Sequence, residues 1–403
     1  MPRPESDSIW VIGVAMTPFR RYSDADAYDL GGRAALAALA DAGLTMADVD
    51  VLAAGSVNQA RPYPAQQIQR RIGQTGIPAY NVLNACATGA TAVRVVYLAI
   101  AAGEASIGLA VGCEQMGKKG LLGQAAPVAA DRYVPGGKYG AVMNIEGVLG
   151  TGLMPGVFAQ AGMTYAASNE GVGFEQFAKI AVKNHSHSTL NPLAQYRKEF
   201  SLEEIMAAEM ISYPNTVLMC CPTGDGGAAA VLVSGERLAT MPSEVRRRAV
   251  KISASVMTSD PYVADGLVQP DVNTLTRNAA DQAYARAGVG PEDLDLVELH
   301  DCFATAELLH YDNLRLCEPG GAGEFIDSGA PWRTGRTPVN VSGGLLSKGH
   351  PLGATGVANI FEVTTHLRGE AGDRQIADAK VGMAHVIGLG SACAIHILER
   401  AAA

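Results

Sequence analysis

The stretch Asp41-Ala-Gly-Leu-Thr-Met-Ala-Asp-Val-Asp-Val-Leu52 decides the fold, because it recurs without a gap as Arg286-Ala-Gly-Val-Gly-Pro-Glu-Asp-Leu-Asp-Leu-Val297. Each copy has the pattern of a helix that ends at Ala-Gly, a short turn and a buried strand. Downstream of each copy, a turn of small residues opens a helix that closes on Gly-Glu, over 86–104 and 353–370. The chain is therefore predicted to contain a duplicated unit.

Alternating strands and helices predict an α/β fold with mainly parallel sheets covered on both faces. A duplicated unit further predicts a pseudo-twofold molecule whose ligand site lies between its halves. The first half contains a long segment without a counterpart in the second, which is rich in Gly, Met and Ala. We interpret this segment as an inserted lid or substrate loop region. Within it, 174–210 is predicted to be helical, with Ser201-Leu-Glu-Glu204 as a helix start.

These patterns divide the chain into three parts. We predict an N-terminal half formed by 1–115 and 216–255, an inserted loop domain over 116–215, and a C-terminal half over 256–403. The insertion contains the apolar run Leu153-Met-Pro-Gly-Val-Phe158, which together with Met163 would suit an apolar substrate tail. However, Met and Leu side chains at such spacing more often pack in the interior of a loop region than against a substrate.

Composition narrows the classes of function. The 403 residues are 48% hydrophobic and 18% charged, with a net charge of -9, so a nucleic-acid partner is not expected. No export signal or membrane span is apparent. The seven cysteines lack the paired spacing of a disulfide framework or of a metal site. We therefore expect reduced thiols, no bound metal and a cytoplasmic location.

Cys86 is the first candidate for chemistry. Small residues follow it, and then a helical pattern, so its thiol is predicted to lie at a helix N-terminus. Unpaired backbone N–H groups and the helix dipole favour a thiolate there, which makes Cys86 a candidate acyl acceptor. The alternative is a small buried cysteine that packs against the helix start.

His350 lies in a glycine-rich loop at the matching position of the repeat, between Gly343-Gly344 and Gly353. Glycine allows the backbone to approach a ligand closely. An imidazole there could take the proton of Cys86 and later donate to an oxyanion. The alternative is a histidine whose hydrogen bonds are satisfied within a structural turn.

His300 and Cys302 follow the apolar run Leu294–Leu299, which is typical of a strand. Because residues alternate along an extended chain, the two side chains should point the same way and Asp301 elsewhere. The alternative is that His300 forms a hydrogen bond with a neighbouring loop and that Cys302 packs in the hydrophobic core. The remaining cysteines and histidines singled out are predicted to be structural or solvated: Cys113, Cys317 and Cys393 as structural, His185 and His187 as solvated.

Taken together, these residues resemble the thiolase superfamily, and in particular its sterol-carrier-protein type. The resemblance spans nearly the whole chain, and its motifs are specific in combination rather than singly. They are Asn84-Ala-Cys-Ala-Thr-Gly89, Gly112-Cys-Glu-Gln-Met116, Phe177-Ala-Lys-Ile180, Lys183-Asn-His-Ser-His-Ser188, Cys220-Cys-Pro-Thr-Gly-Asp-Gly226, Glu298-Leu-His-Asp-Cys-Phe303 and Ser342-Gly-Gly-Leu-Leu-Ser-Lys-Gly-His-Pro-Leu-Gly-Ala-Thr-Gly356.

The resemblance implies a duplicated five-layered α-β-α-β-α architecture with an inserted loop domain. It also implies acyl-coenzyme A thioesters as substrates, coenzyme A as a substrate rather than a tightly bound cofactor, and a homodimer or a dimer of dimers. By the same resemblance, Cys86 carries the acyl group and His350 activates it. Cys302 exchanges a proton with the carbon beside the thioester, and His300 helps to hold a water or oxyanion.

The resemblance further implies that the backbone N–H groups of Cys86 and Gly388 form an oxyanion hole. Cys221 and Thr223 would lie near the pantetheine arm. One departure matters, because the commoner thiolases carry a Cys-x-Gly motif where this chain has Val386-Ile-Gly388. In the sterol-carrier type, a cysteine in the position of Cys302 supplies that thiol.

Four functions are compatible with this pattern. The first is an acyltransferase that cleaves a 3-oxoacyl thioester with coenzyme A or runs the reverse Claisen condensation. The second is a thiolase-fold retro-aldol lyase, which is often paired with a small accessory protein and generally lacks the nucleophilic cysteine. The third is a decarboxylating ketoacyl synthase, which uses one cysteine and two histidines. The fourth is a noncatalytic binding or scaffold protein.

Overall fold

The computed structural model describes residues 8–117, 153–261, 272–389 and 392–401. The strands are β1 (Ile9–Met16), β2 (Val51–Gly55), β3 (Ala79–Val82), β4 (Ile107–Gln115), β5 (Met210–Ser212), β6 (Asn215–Thr216), β7 (Asp225–Ser234), β8 (Val250–Thr258), β9 (Leu296–Glu298), β10 (Val381–Gly388) and β11 (Ala392–Arg400). The helices are α1 (Ala27–Asp41), α2 (Pro64–Ile72), α3 (Thr88–Ala101), α4 (Leu153–Ser168), α5 (Phe174–Ser188), α6 (Leu202–Ala207), α7 (Gly235–Ala239), α8 (Ser243–Arg248), α9 (Val272–Ala287), α10 (Ala304–Asn313), α11 (Ala322–Asp327), α12 (Gly344–Ser347) and α13 (Leu352–Arg368). None of the helices in these ranges is long and apolar enough to cross a membrane.

The main sheet has nine strands among the described residues, in the order β3-β2-β4-β7-β1-β8-β11-β10-β9. The first five strands come from one copy of the repeat and the last four from the other. The copies join where Trp10 and Val11 of β1 pair with Lys251 and Val250 of β8. In the second copy, a parallel bridge from Val339 to β9 takes the place that β3 has beside β2. The predicted duplication is therefore present.

The prediction of mainly parallel sheets is wrong. Parallel pairing is confined to β2 with β3 and β4, and to β9 with β10. The pairs β4–β7, β1–β7, β1–β8, β8–β11 and β10–β11 are antiparallel. The reason is that the strand following each α/β unit returns next to its predecessor instead of crossing over. β11 begins four residues after β10 ends, whereas β7 follows β4 only after the insertion.

Helices cover the sheet in layers. α1 packs on one face of the first copy, α9 packs on the second copy, and α3 and α13 pack against each other between them. The start of α13 packs closely because of glycine: a Cβ on Gly89 of α3 would lie 2.6 Å, and one on Gly112 of β4 2.1 Å, from the carbonyl oxygen of Gly353. The N-termini of α3 and α13 consequently meet where the halves join, and the layered α/β prediction is confirmed.

The insertion is helical only in part. α4, α5 and α6 lie within it, and Ser201 caps α6 by accepting the backbone N–H of Glu204, as the capping-box pattern predicted. Residues 189–201 do not form a helix, so the predicted helix over 174–210 is too long. Phe158 is buried on α4, whereas Met163 on the same helix is partly exposed. The remainder of the insertion, 118–152, lies outside the described residues.

Candidate active site

Cys86 lies in a tight turn between β3 and α3. Ala85 before it has a left-handed backbone (φ 46°), which costs free energy for a non-glycine residue and is found at functional sites. The Thr88 hydroxyl holds the turn by donating to the carbonyl of Ala85 (2.6 Å) and accepting the backbone N–H of Asn84 (2.9 Å). The thiol is thus held beside the start of a 14-residue helix, where the sequence predicted it.

His350 lies immediately before α13, and its hydrogen bonds define its tautomer. Its Nδ1 is 2.7 Å from the Thr355 hydroxyl, which is also 3.1 Å from the carbonyl oxygen of Pro351. Both contacts are satisfied only if the hydroxyl donates to the carbonyl and Nδ1–H donates to the hydroxyl. We therefore assign the proton to Nδ1, which leaves the lone pair of Nε2 available to accept the thiol proton.

The structure brings three of the predicted residues together. One donor atom each from Cys86, His300 and His350 lies within 4.8 Å of the others, and all three residues are buried. The two imidazole rings meet edge to face with centroids 5.2 Å apart. These residues are supplied by the start of α3, the end of β9 and the loop before α13, so the cluster forms only when the two halves pack together.

Burial keeps these groups uncharged in the resting protein. It raises the pKa of the Cys86 thiol to about 12, with the negative charge of Glu114 contributing. It lowers the pKa of His300 to about 3 and that of His350 well below its ordinary 6.5. At pH 7 His350 is therefore a neutral base beside a neutral thiol. A stable thiolate–imidazolium pair is therefore not favoured in the resting protein.

Cys302 lies two residues beyond His300 and is buried. Burial raises the pKa of its thiol well above 9, and the charges of Cys221 and Cys86 raise it further. The backbone N–H of Cys221 donates to the carbonyl of Cys302 (3.0 Å), which joins the segment before β7 to the backbone of Cys302. Cys302 and Cys221 are therefore near enough to Cys86 to interact with it electrostatically. Thr223 lies further along this segment, where its hydroxyl accepts a hydrogen bond from Arg21.

Gly388 ends β10 beside the Cys86 turn. A Cβ at this position would lie 2.1 Å from the carbonyl oxygen of Asn84, so the close approach requires glycine. The backbone N–H groups of Cys86 and of Leu389 act on the Cys86 sulfur and lower its pKa against the effect of burial. The predicted donor Gly388 thus lies against the turn that holds Cys86, and Leu389 is a further backbone N–H donor to the sulfur that the sequence did not indicate.

Sequence reasoning missed the role of Glu114, which is fully buried at the end of β4. Its carboxylate accepts the backbone N–H groups of Val57 (2.9 Å), Asn58 (2.8 Å) and Gly353 (2.9 Å). It therefore ties the loop after β2 to the start of α13, three residues beyond His350. The available signal was an acidic residue at the end of an otherwise apolar strand.

A buried ionic network beneath the site was also missed. Lys183 on α5 lies 2.8 Å from Glu307, and Asn184 donates to both Glu307 (2.7 Å) and Asp301 (2.8 Å). Asp301 accepts the N–H groups at the start of α12, including that of Leu345 (2.7 Å). Asp301 therefore has a structural role, because its carboxylate joins the His300–Cys302 segment to the helix that precedes the His350 loop.

The prediction that His185 and His187 are solvated is wrong. Both are buried, and they bond to the carbonyl oxygens of Leu218 and Asn340 respectively (3.0 Å each). The reason is that α5 packs against α6, α10, α11 and α12, so most of its surface is covered. Cys113 and Cys393 are buried and Cys317 is partly buried, and all three are free thiols.

Replacing Lys183 with methionine should lower the free energy of unfolding by about 3–5 kcal/mol, because Glu307 would remain buried without its cation. Urea unfolding followed by circular dichroism measures this loss. Lys179→Met is the matched control, since Lys179 lies one turn earlier on α5 in exposed pairs with Glu175 and Asp327, where a loss below about 1 kcal/mol is expected. Equal losses in the two variants would contradict the buried-network interpretation.

Replacing Thr355 with valine should slow alkylation of Cys86 by iodoacetamide by about 10-fold to 100-fold, because His350 would no longer be held in the Nδ1–H tautomer. Thr355→Ser keeps the hydroxyl and should react like the unmodified protein. The unfolding midpoint of each variant provides the structural control. Equal slowing in the serine and valine variants would show that Thr355 acts through packing and not through this hydrogen bond.

Comparison with known families agrees with this architecture. The family model for the N-terminal domain of thiolase matches residues 9–209, and the thiolase C-terminal domain-like model matches residues 269–400. This chain belongs to the thiolase family. The resemblance predicted from its motifs is thereby confirmed.

Individual relatives of this thiolase-family chain have different names. It is 38% identical over 402 residues to sterol carrier protein 2 of Bos taurus, covering 98% of this chain and 73% of the relative. It is 34% identical to an acetyl-CoA acetyltransferase of Methanothermobacter thermautotrophicus, covering 97% and 99%. Among solved structures, the Ltp2-ChsH2(DUF35) aldolase matches with a TM-score of 0.80 at 24% identity over 98% of both chains, which shows a shared fold.

Proposed function

We propose that this thiolase-family chain is an acyltransferase that cleaves 3-oxoacyl-coenzyme A with coenzyme A, or runs the reverse Claisen condensation, through an acyl-cysteine on Cys86. The observation that carries the proposal is the cluster of Cys86, His300 and His350, whose donor atoms lie within 4.8 Å of one another. The electrostatic interaction between Cys302 and Cys86 supports it further, because the reaction needs a second proton carrier.

In the first half-reaction, Nε2 of His350 takes the Cys86 proton as the sulfur attacks the 3-oxo carbon. The backbone N–H groups of Cys86 and Gly388 hold the oxyanion that develops there. Removing one such donor costs about 3–4 kcal/mol in comparable enzymes. When the carbon–carbon bond breaks, the Cys302 thiol protonates the departing carbanion, whose thioester oxygen is held by His300.

In the second half-reaction, the Cys302 thiolate takes the proton of the coenzyme A thiol, which then attacks the acyl group on Cys86. The acyl group leaves as a thioester, and the proton held by His350 returns to Cys86, so both residues are regenerated. Coenzyme A is a substrate in this scheme, and no tightly bound cofactor is required. Its pantetheine arm would pass Cys221 and Thr223.

Two other reactions are alternatives to acyl transfer at this site. The aldolase with the same fold is the reason to consider a retro-aldol lyase, and its name includes a DUF35 component, so an accessory partner belongs to that alternative. The Cys86–His300–His350 cluster would also serve a decarboxylating synthase. The presence of Cys86 argues against the lyase. Cys302 argues against the synthase, because decarboxylation generates the carbanion without a thiol acid or base.

The discriminating experiment mixes the protein with acetoacetyl-coenzyme A and coenzyme A, and follows the loss of enolate absorbance. Steady turnover to two molecules of acetyl-coenzyme A is expected. In parallel, malonyl-coenzyme A is supplied in place of acetoacetyl-coenzyme A. Decarboxylation of malonyl-coenzyme A without thiolysis would identify a synthase, and turnover of neither substrate would contradict the transferase proposal.

A homodimer is part of the proposal. β3 is at the end of the sheet formed by the described residues, so one of its edges is free to pair with a second copy. Tyr80 on this strand and Leu83 just after it are 49% and 55% exposed.

Light scattering should report a dimer, and Leu83→Lys should weaken it. Leu36→Lys on α1, where the leucine is 49% exposed, is the control. Dimers of equal affinity in both variants would contradict pairing through β3.

A further inference from the structure

The Cys86, His300 and His350 cluster has a second chemical property besides nucleophilic catalysis. One thiol and two imidazoles form a ligand set that suits Zn²⁺, which takes three protein ligands and keeps a fourth position open in sites of this kind. In the described part of the chain, these residues alone form a group of histidine, cysteine or acidic side chains whose donor atoms all lie within 4.8 Å. Donors around a tetrahedral zinc ion lie about 3.5 Å apart, so small side-chain movements close the set.

His350 is oriented as a metal-ligating histidine is. His350 donates Nδ1–H to Thr355 and so presents Nε2 to the cluster, which is the outer hydrogen bond that orients most ligating histidines. In the described residues, Nε2 of His350 and Nδ1 of His300 are buried and make no hydrogen bond. Buried polar atoms normally have a partner. A metal ion would be the missing partner of Nε2 of His350. Either ring nitrogen of His300 is able to coordinate the same ion.

The local charge also suits a cation. The negative charge of Glu114 acts on the Cys86 sulfur. The nearby cation Lys348 is paired with the buried carboxylate of Glu298, 3.5 Å away. A thiolate with two neutral imidazoles leaves one positive charge on a bound Zn²⁺ complex, which Glu114 offsets.

We propose that Cys86, His300 and His350 form an inhibitory Zn²⁺ site. Binding replaces the thiol proton of Cys86, which is released to solvent, and no oxidation or reduction takes place. A sulfur bound to zinc cannot attack a carbonyl, so zinc and acyl thioester exclude each other. The binding site follows from the geometry alone, whereas the inhibition rests on the proposed acyl transfer.

Cobalt substitution tests the site without reference to turnover. Titration of the protein with Co²⁺ should produce a sulfur-to-cobalt charge-transfer band and the visible bands of a four-coordinate ion, at one equivalent per chain. Zn²⁺ should displace the cobalt with half-occupancy at about 1 µM free zinc or below. The variants Cys86→Ser, His300→Asn and His350→Asn should each weaken cobalt binding by at least about 10-fold.

Cys317→Ser is the control, because Cys317 is a partly exposed thiol outside the cluster, and its spectrum should be unchanged. Zinc should also inhibit thiolysis competitively with acetoacetyl-coenzyme A, and a chelator should reverse the inhibition. A cobalt spectrum that survives in Cys86→Ser, or disappears in Cys317→Ser, would overturn the proposed site. Cobalt bands without any thiolysis would leave the site standing and contradict the proposed function instead.

Discussion

Cys86→Ala should lower turnover of acetoacetyl-coenzyme A with coenzyme A by at least about 10⁴-fold, because removing a covalent nucleophile eliminates the pathway it serves. The remaining groups would still bind substrate and hold the oxyanion, so the Michaelis constant should change far less than the turnover rate. The measurement is the initial rate of enolate loss at saturating substrate.

Cys317→Ala is the matched control, since it also removes one thiol from the chain and its rate should stay near that of the unmodified protein. The unfolding midpoint of both variants checks that the fold is intact. Turnover of Cys86→Ala within about 10-fold of the unmodified protein would exclude an acyl-cysteine mechanism on this residue.

Cys302→Ala should separate the two halves of the chemistry. Carbon–carbon bond cleavage should fall by about 10²-fold to 10⁴-fold, the range for loss of a general acid or base. Acylation of Cys86 by acetyl-coenzyme A should be slowed less and remain measurable, because a coenzyme A thiolate leaves more readily than a carbanion and depends less on the proton that Cys302 supplies. The readouts are enolate loss for cleavage and intact-protein mass for acylation.

A third readout for Cys302→Ala reports proton transfer alone. The unmodified protein should exchange the methyl protons of acetyl-coenzyme A with deuterium from solvent, and the variant should not. If cleavage and exchange both persist in Cys302→Ala, another group carries this proton. If acylation is lost completely while the fold is intact, departure of coenzyme A depends on the Cys302 proton as strictly as carbon–carbon cleavage does, and the expected separation of the two steps is wrong.

The sequence was sufficient to predict the duplication, because the two copies around Asp41–Leu52 and Arg286–Val297 share a helix end, a turn and a strand in the same register. Strand direction was not predictable in the same way. A buried antiparallel strand such as β7, whose residues Asp225–Val233 are all buried, has the same continuous apolar pattern as a parallel one. The mixed sheet therefore became visible only from the pairing itself.

The candidate site was predicted as far as individual motifs allowed. Cys86, His300 and His350 come from segments far apart in sequence, and the repeat indicated that they meet between the halves. The buried state of His185 and His187 and the pairing of Lys183 were not predictable, because polar residues on a helix normally indicate a solvated face. The arrangement of Cys86, His300 and His350 as a set of metal ligands was not predictable either, because their spacing along the chain matches no metal-binding motif.

The most direct test of the central claim is to mix the unmodified protein with acetoacetyl-coenzyme A in the absence of free coenzyme A, quench, digest and map the acyl adduct by mass spectrometry. One acetyl group should be found on the peptide that contains Cys86, and adding coenzyme A before the quench should remove it. Turnover without a covalent adduct, or an adduct confined to Cys302 or Cys221, would contradict acyl transfer through Cys86.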